Sequence, residues 1–254
     1  MKRTTGFVLA IDGPAGSGKS TTARMCAERL GFRHLDTGAM YRAITLKVTR
    51  THTDIRDKHA LARLLRTTTV GVRWHRGTMQ VLLDGSDASE GIRAPDVSEL
   101  VSEVSAIPAV RRKMVAEQRR VAAGQAVVCE GRDIGSVVFP DADLKIFLEC
   151  DADERARRRQ LELVGQGVRA ARKAVLANLV KRDRIDSGRA TSPLRRMPDA
   201  VLVDTSYLTI EEQVEVVCDL ARRKTGLLKS EARSQEPKAK AMRLGTRTAE
   251  HGRC

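Results

Sequence analysis

Short apolar runs alternate with helical patterns along much of the chain. The first run, GFVLAID, is followed by a glycine-rich segment and then by TTARMCAERL, where Gly31 is suited to end a helix. Further apolar runs are FRHLD, AVVCE, LKIFLEC and AVLVD. Since strands that alternate with helices form parallel sheets, the pattern predicts an α/β fold with a parallel central sheet and flanking helices.

The pattern changes between residues 70 and 123. The stretch TVGVRWHRGTMQVLLDG alternates in polarity and contains a turn at residues 75–78, which predicts a hairpin. Two helical patterns follow, DVSELVSEVSA and AVRRKMVAEQRRVAA. We interpret residues 70–123 as an inserted α+β lobe, and residues 1–69 and 124–228 as the core.

The second part of the core is rich in arginine. Residues 153–184 predict one long helical stretch. The spacing from Thr209 to Glu212 predicts a capping box at the start of the last helix.

Charge narrows the range of partners. The 254 residues include 46 Lys and Arg against 32 Asp and Glu, a net charge of +14. Part of this excess lies in residues 229–254, which lack periodicity and aromatic residues, so we expect a basic disordered tail. With two Tyr, one Trp and four Phe there is little material for stacking bases, and no specific nucleic-acid partner is expected.

Membrane insertion and secretion are not expected. No uncharged apolar run approaches the roughly eighteen residues of a membrane-spanning helix. The N-terminal apolar stretch is also too short for a signal peptide. We therefore expect a cytoplasmic protein with no membrane partner. The five cysteines lack CxxC spacing and the five histidines lack ligand spacing, and neither set is given a role.

The strongest chemical signal is the segment GPAGSGKS, which matches the phosphate-binding P-loop pattern G-x-x-x-x-G-K-S. Its backbone N–H groups converge on an anion at a helix N-terminus. Lys19 would reach the β- and γ-phosphates, and the Ser20 hydroxyl would help to hold Mg²⁺. We expect ATP and Mg²⁺ as cofactors, with ATP bound by Gly13, Pro14, Ala15, Gly16, Ser17, Gly18, Lys19, Ser20 and Thr21.

Arginines are the next candidates, because phosphoryl transfer depends mainly on positioning and on charge stabilisation. Arg42, Arg132 and Arg189 lie at the ends of predicted elements. They could converge at the carboxyl ends of parallel strands, where open α/β sheets bind ligands. We interpret four further arginines as a solvated helix face: Arg155, Arg157, Arg158 and Arg159.

Four stretches, in this order and spacing, resemble the bacterial cytidylate kinases, which transfer the γ-phosphoryl group of ATP to CMP and dCMP. They are AIDGPAGSGKSTTAR, LDTGAMYRA, EGRDIGSVVFPDADLKIFL and KRDRIDSGRATSPL. The resemblance covers residues 7–225. It implies a nucleoside monophosphate (NMP) kinase-like P-loop fold with an NMP-binding lobe enlarged by the insert, a short lid at about residues 155–196, and action on CMP and dCMP in pyrimidine nucleotide metabolism. We expect the protein to be a monomer.

The resemblance also implies roles at the acceptor site. Arg42 and Arg132 match positions that hold the CMP phosphate, with Thr37 nearby. Ser102 and Arg111 match positions that read the base.

Asp133 joins this base-reading pair. An ionised carboxylate only accepts hydrogen bonds, so it suits the amino group of cytosine and would repel the carbonyl of uracil. We therefore expect UMP to be a poor substrate.

Further matches concern the sugar, the metal and the transfer itself. Arg182 and Asp186 match positions that meet the sugar, and Arg189 belongs to the same cluster. Glu130 occupies a position where the family often has Asp. With one more methylene in the side chain, its carboxylate can still reach the water shell of Mg²⁺. Ser20 and Glu130 therefore form the expected metal site. The residues expected to catalyse transfer are Lys19, Arg42, Arg132 and Arg189.

Two alternatives remain open from the sequence. A P-loop kinase for UMP, shikimate or another small acceptor would share the donor site but lack the set of Ser102, Arg111 and Asp133. An RNA-binding P-loop protein would instead use the basic surface.

Overall fold

Strands and helices alternate around one central sheet. The computed structural model describes residues 6–75, 77–165 and 167–226. The strands of this part of the chain are β1 (Val8–Asp12), β2 (Arg33–Asp36), β3 (Val70–His75), β4 (Thr78–Leu83), β5 (Ser86–Asp87), β6 (Val127–Gly131), β7 (Leu144–Glu149) and β8 (Val201–Asp204). Its α-helices are α1 (Lys19–Leu30), α2 (Thr37–Arg50), α3 (Lys58–Thr67), α4 (Pro95–Ala106), α5 (Pro108–Ala122), α6 (Ala152–Gly165), α7 (Arg172–Ser187) and α8 (Ile210–Thr225).

The central sheet has five strands in the order β2-β6-β1-β7-β8. Every pair in it is parallel, and on the central strand Ile11 lies opposite Glu130 of β6 and Ile146 of β7. The predicted α/β fold with a parallel central sheet is therefore confirmed. Because the strands are parallel, the carboxyl ends of β1, β2 and β6 meet at one edge of the sheet.

The insert packs on one face of this sheet. Its strands β3, β4 and β5 form a separate antiparallel sheet, and the hairpin predicted at residues 75–78 is present. Val81 and Val97 of the insert belong to the same buried apolar cluster as Val8 and Leu35 of the central sheet. The insert thus extends the core on this face, and its predicted limits at residues 70 and 123 stay a prediction.

The other face of the sheet is covered by α1 and α8. Leu9 and Ile146 of the sheet share a buried cluster with Cys26 of α1 and Val217 of α8. The predicted helix boundaries here are confirmed: Gly31 ends α1 with a φ of 67°, and Thr209 and Glu212 form a capping box before α8.

The expectation of one long helix over residues 153–184 is wrong. Helix α6 ends at Gly165 and α7 begins at Arg172, and the two helices pack against each other. Two glycines cause the break, since glycine is a poor helix former, and Gly167 adopts a left-handed φ of 76°.

The remaining observations concern membrane-spanning helices and the C-terminal tail. Within the described ranges, no helix is both long enough and apolar enough to cross a membrane. The basic tail predicted for residues 229–254 lies outside the described residues.

Neighbouring valines on α8 provide a test of this packing. Val217 is fully buried against the sheet, whereas Val216 is 40% exposed. We expect Val217→Ala to lower the free energy of unfolding by about 2 kcal/mol more than Val216→Ala, since only the former removes buried methyl groups. The gain in helix propensity is common to both variants and cancels in the comparison. Urea denaturation measures the difference, and equal effects would contradict the placement of α8.

Candidate active site

The glycine-rich loop lies between β1 and α1, where the phosphate-binding mechanism requires it. A Cβ atom at Gly13 would lie 2.3 Å from the main-chain oxygen of Leu148, so this close approach requires glycine. Gly18 caps α1 with a φ of 87°. The loop therefore directs N–H groups at the start of α1 towards the sheet edge.

Lys19 is a buried cation without an anionic partner. Its side-chain nitrogen donates to the main-chain oxygen of Pro14 at 2.5 Å and lies 3.4 Å from Ser17 Oγ. None of the ion pairs found among residues 6–75, 77–165 and 167–226 includes Lys19. Burial, and secondarily the charge of Arg132, hold the pKa of Lys19 well below its usual value. A bound phosphate would supply the missing negative charge, so the loop fits a nucleotide.

Oxygen ligands suited to Mg²⁺ lie beside the loop. Ser20 Oγ donates to Glu130 Oε2 at 2.7 Å, so the two predicted metal residues are neighbours. A hydroxyl and a carboxylate fit Mg²⁺, which keeps several waters and also takes oxygens from phosphates. The described part of the chain contains no group of three or more His, Cys, Asp and Glu side chains that could hold a metal alone. The geometry thus fits a metal that arrives with a nucleotide.

Glu130 has two further neighbours that the sequence did not reveal. His34 Nε2 lies 3.1 Å from Glu130 Oε1, although sequence reasoning gave His34 no role. Burial, followed by the charge of Glu130, raises the pKa of Asp36 to about 6. Both residues come from β2, the neighbouring strand of β6, so only the sheet order brings them here.

The nine predicted substrate-binding residues converge on one cavity of about 90 Å³. They come from α2, α4, α5, α7 and the segments that follow β6 and α7. Tyr41 and Ser105 also line this cavity and were not predicted. The nine residues are Thr37, Arg42, Ser102, Arg111, Arg132, Asp133, Arg182, Asp186 and Arg189.

A buried ion pair forms one wall of this cavity, which we name the acceptor cavity after the role predicted for the residues that line it. Arg111 Nη2 donates to Asp133 Oδ2, and both side chains are almost fully buried. Arg111 Nη1 also donates to the main-chain oxygen of Ser105 at 3.0 Å, and its guanidinium lies 5.3 Å from the ring centre of Tyr41. These contacts fix the direction in which Asp133 presents its remaining lone pairs.

A second carboxylate holds two of the predicted arginines. Asp186 accepts from Arg132 Nε at 2.7 Å and from Arg189 Nη2. Burial alone would raise the pKa of Asp186, but the charges of Arg132 and Arg189 outweigh it and lower this pKa. Asp186 is therefore a structural anchor for two arginines in addition to lining the cavity.

Arg42 and Arg182 form no such carboxylate contacts within the described part of the chain. Arg42 Nη1 donates to Ser98 Oγ at 2.8 Å and to the main-chain oxygen of Ile92 at 3.4 Å. The Nε atom of Arg182 is buried without a hydrogen-bond partner among the described residues. Burial and the charge of Arg132 lower the pKa of Arg182 to about 10. This cluster carries excess positive charge that an anion would relieve.

The P-loop faces a larger cavity of about 930 Å³. Arg42, Arg132 and Arg182 line both this cavity and the acceptor cavity. Six of the nine predicted nucleotide-binding residues line it: Ala15, Gly16, Gly18, Lys19, Ser20 and Thr21. Gly13, Pro14 and Ser17 do not line it and instead shape the loop, Pro14 through its main-chain oxygen, which accepts from Ser17 Oγ and from Lys19.

The interpretation of Arg155 as a solvated residue is wrong. Its side chain is buried, and its guanidinium donates to the main-chain oxygens of Cys150 and Ala15 and to Asp183. Helix α6 packs against the loop here, so this position is largely shielded from bulk water. The three other arginines of that group line the 930 Å³ cavity: Arg157, Arg158 and Arg159.

Asp12 is a further buried residue that sequence reasoning missed. Its two carboxylate oxygens accept from the N–H groups of Ile134 and Gly135, each at 2.8 Å. Burial raises the pKa of Asp12 to about 6. Because these N–H groups begin the turn directly after Asp133, Asp12 fixes the backbone that presents Arg132 and Asp133.

Known proteins resemble the chain over most of its length. The family model described as "Cytidylate kinase" matches residues 9–223. A protein named "Cytidylate kinase" from Caldanaerobacter subterraneus subsp. tengcongensis is 49% identical over 217 residues, which are 85% of this chain and 95% of that protein. Another of the same name, from Rhodococcus opacus, is 52% identical over 217 residues, with coverage of 83% and 93%.

Solved structures resemble the chain more distantly. The shikimate kinase from Bacteroides thetaiotaomicron is 14% identical, with a TM-score of 0.45 over 88% of this chain and 98% of that chain. The family assignment therefore rests on sequence, on a match that spans the P-loop, the stretch predicted to read the base and the arginine-rich segment. The chain belongs to the cytidylate kinase family.

Proposed function

We propose that the protein transfers the γ-phosphoryl group of ATP to CMP and dCMP in pyrimidine nucleotide metabolism. The observation that carries this proposal is the arrangement of the two cavities. One is lined by the P-loop, the other by the predicted CMP-binding residues, and Arg42, Arg132 and Arg182 line both. A donor phosphate and an acceptor phosphate would thus meet among three cations, of which only Arg132 has a carboxylate partner among the described residues.

In this proposal the donor site is the P-loop with its metal residues. Lys19 would contact the β- and γ-phosphates of ATP, and Ser20 and Glu130, whose side-chain oxygens are 2.7 Å apart, would hold Mg²⁺ directly or through its waters. When bound, Mg²⁺ neutralises negative charge on the phosphates. Thr21 and Gly18 line the cavity next to them.

The acceptor site is the smaller cavity. Arg42 and Arg132 bind the phosphate of CMP, with Thr37 nearby, and Arg182 and Asp186 face the sugar. Arg111 already holds Asp133, which accepts a hydrogen bond from the amino group of cytosine. The carboxylates Asp133 and Asp186 are already held by arginines, so their orientation is largely set before the base binds.

Transfer requires no protein nucleophile. A phosphate oxygen of CMP attacks the γ-phosphorus, the bond from that phosphorus to the β,γ-bridging oxygen breaks, and ADP leaves with the bond electrons. Lys19, Arg42, Arg132 and Arg189 balance the charge of the transferring group. The predicted lid, residues 155–196, excludes water from the step.

We propose a monomer as the working form, since residues predicted for both sites line the two cavities of one chain. Since ATP and CMP are metabolites of the cytoplasm, we propose that compartment for the reaction.

A panel of nucleoside monophosphates tests the acceptor. With ATP and Mg²⁺ we expect phosphorylation of CMP and dCMP, and kcat/KM for UMP at least about a hundredfold lower, because uracil presents an acceptor to Asp133. Coupled detection of ADP measures each rate. If UMP or AMP were phosphorylated as fast as CMP, the role of Asp133 would be contradicted. If no nucleoside monophosphate were phosphorylated, the proposed kinase function would be contradicted.

Asp133→Asn tests the base contact more directly. We expect kcat/KM for CMP to fall by about a hundredfold, since the amide loses the ion pair with Arg111 and can present a donor to cytosine. Asp219→Asn, an exposed change on α8 with an ion pair to Arg222, is the matched control. An unchanged ratio of CMP to UMP turnover in Asp133→Asn would oppose the assignment.

Lys19→Ala tests the donor site. We expect kcat to fall by about a hundredfold or more, because a charge that stabilises the transition state is removed. The exposed Lys173→Ala on α7 should keep the wild-type rate. RNA binding that is sensitive to salt and survives Lys19→Ala, without any nucleotide turnover in the wild type, would favour the RNA-binding alternative.

A further inference from the structure

One residue of the P-loop is held through its main chain by both helices of the arginine-rich segment. The Ala15 N–H group donates to Asp183 Oδ1 of α7 at 3.1 Å. The Ala15 main-chain oxygen accepts from Arg155 Nη1 of α6 at 3.0 Å. Arg155 and Asp183 also form an ion pair with each other. Both polar main-chain groups of Ala15 are therefore occupied by a single ion pair, which we name the Ala15 clamp.

The Ala15 clamp is mostly buried and anchored to the central sheet. The Arg155 side chain is 9% exposed and that of Asp183 is 21% exposed. Arg155 Nε donates to the main-chain oxygen of Cys150, directly after β7, at 3.1 Å. Water competes little for these hydrogen bonds, so they constrain the loop more strongly than surface contacts would.

Ala15 lies between two residues, Pro14 and Gly16, whose backbone conformation determines the shape of the loop. The main-chain oxygen of the preceding Pro14 accepts from Lys19 Nζ, and the following Gly16 has a φ of 78° and packs near Arg155 Cβ. Rotating the peptides on either side of Ala15 would move the carbonyl that holds Lys19 and redirect the N–H groups that follow. Because the Ala15 N–H group is bonded to a carboxylate, phosphate recognition is left to the later N–H groups of the loop.

Helix α7 also connects the clamp to the acceptor cavity. Asp183 and Asp186 are three residues apart and so are neighbours on one helix face. Asp186 accepts from Arg132 and Arg189, which line the acceptor cavity. Two carboxylates on one face of α7 therefore hold the two sites: Asp183 holds the P-loop, and Asp186 holds the arginines of the acceptor cavity.

We propose that Asp183, with Arg155, is a positioning residue that holds the Ala15 peptide so that the remaining P-loop N–H groups converge on the ATP phosphates. It acts through the loop and touches no substrate. The proposal rests on the proposed function only in taking ATP as the ligand of the loop.

The central test is Asp183→Asn. An asparagine oxygen can still accept from Ala15, but its NH₂ group then faces the Arg155 guanidinium. We expect ATP and inorganic tripolyphosphate to bind about tenfold more weakly, since a charge-assisted hydrogen bond at the loop is lost. KM for ATP should rise by about tenfold while KM for CMP stays within about twofold. Asp183→Glu, which keeps the carboxylate, should recover part of this loss.

Asp153→Asn is the matched control. Asp153 pairs with Arg172 at 3.4 Å across the same two helices, but its side chain is 69% exposed and does not reach the P-loop. We expect this variant to bind ATP like the wild type. Thermal unfolding of every variant separates a change in ATP binding from a loss of folded protein.

Two outcomes would overturn the proposal. One is ATP and tripolyphosphate binding by Asp183→Asn within about twofold of the wild type, and the other is an equal rise of both KM values. If Asp183→Asn does not fold, Arg155→Lys replaces it: lysine keeps the charge but cannot reproduce the forked bonds to Ala15 and Cys150, so the same preferential loss of ATP binding is expected. Binding needs no turnover, so a wild type that binds ATP without phosphorylating CMP would contradict the proposed function alone.

Discussion

Buried positive charge at the carboxyl edge of the sheet is the constraint on which the site depends. Lys19 and Arg182 are held with lowered pKa values by burial and by the neighbouring charge of Arg132. Such groups cost folding free energy unless an anion is nearby. The rest of the fold must therefore hold these side chains in place against their mutual repulsion. A bound phosphate is attracted by all of these cations. The charge that destabilises the free protein therefore contributes favourably to the free energy of binding.

The fold meets this constraint with carboxylates that neutralise some cations and leave others free. Asp186 holds Arg132 and Arg189, and Asp183 holds Arg155, whereas Lys19 receives only a carbonyl and a hydroxyl. The paired cations are thereby kept in fixed positions. The unpaired ones retain the full attraction for a ligand, which is the distribution that electrostatic preorganisation requires.

Local sequence patterns predicted what depends on local physics. The parallel sheet, the P-loop, the hairpin and the caps at Gly31 and Thr209 follow from apolar periodicity and from glycine and hydroxyl chemistry. The acceptor residues were accessible through the resemblance of whole stretches. Arg155 was misjudged because nothing in an arginine-rich helix pattern distinguishes the position that faces Ala15, 140 residues away, from the positions that face water. Asp12 was missed for the same reason, since its partners Ile134 and Gly135 are brought to it only by the pairing of β1 with β6.

The pairing of Arg111 with Asp133 shows why the proposed base recognition would depend on this long-range packing. A buried ion pair costs desolvation free energy, which further contacts of the two partners offset in part. Here the main-chain oxygen of Ser105 and the ring of Tyr41 hold Arg111, while Asp12 fixes the backbone beyond Asp133. The carboxylate therefore reaches the cavity already oriented, with lone pairs to spare. In the proposed function, discrimination between cytosine and uracil would follow from the direction of one hydrogen bond, because an ionised Asp133 accepts from the cytosine amino group and cannot donate to the uracil carbonyl.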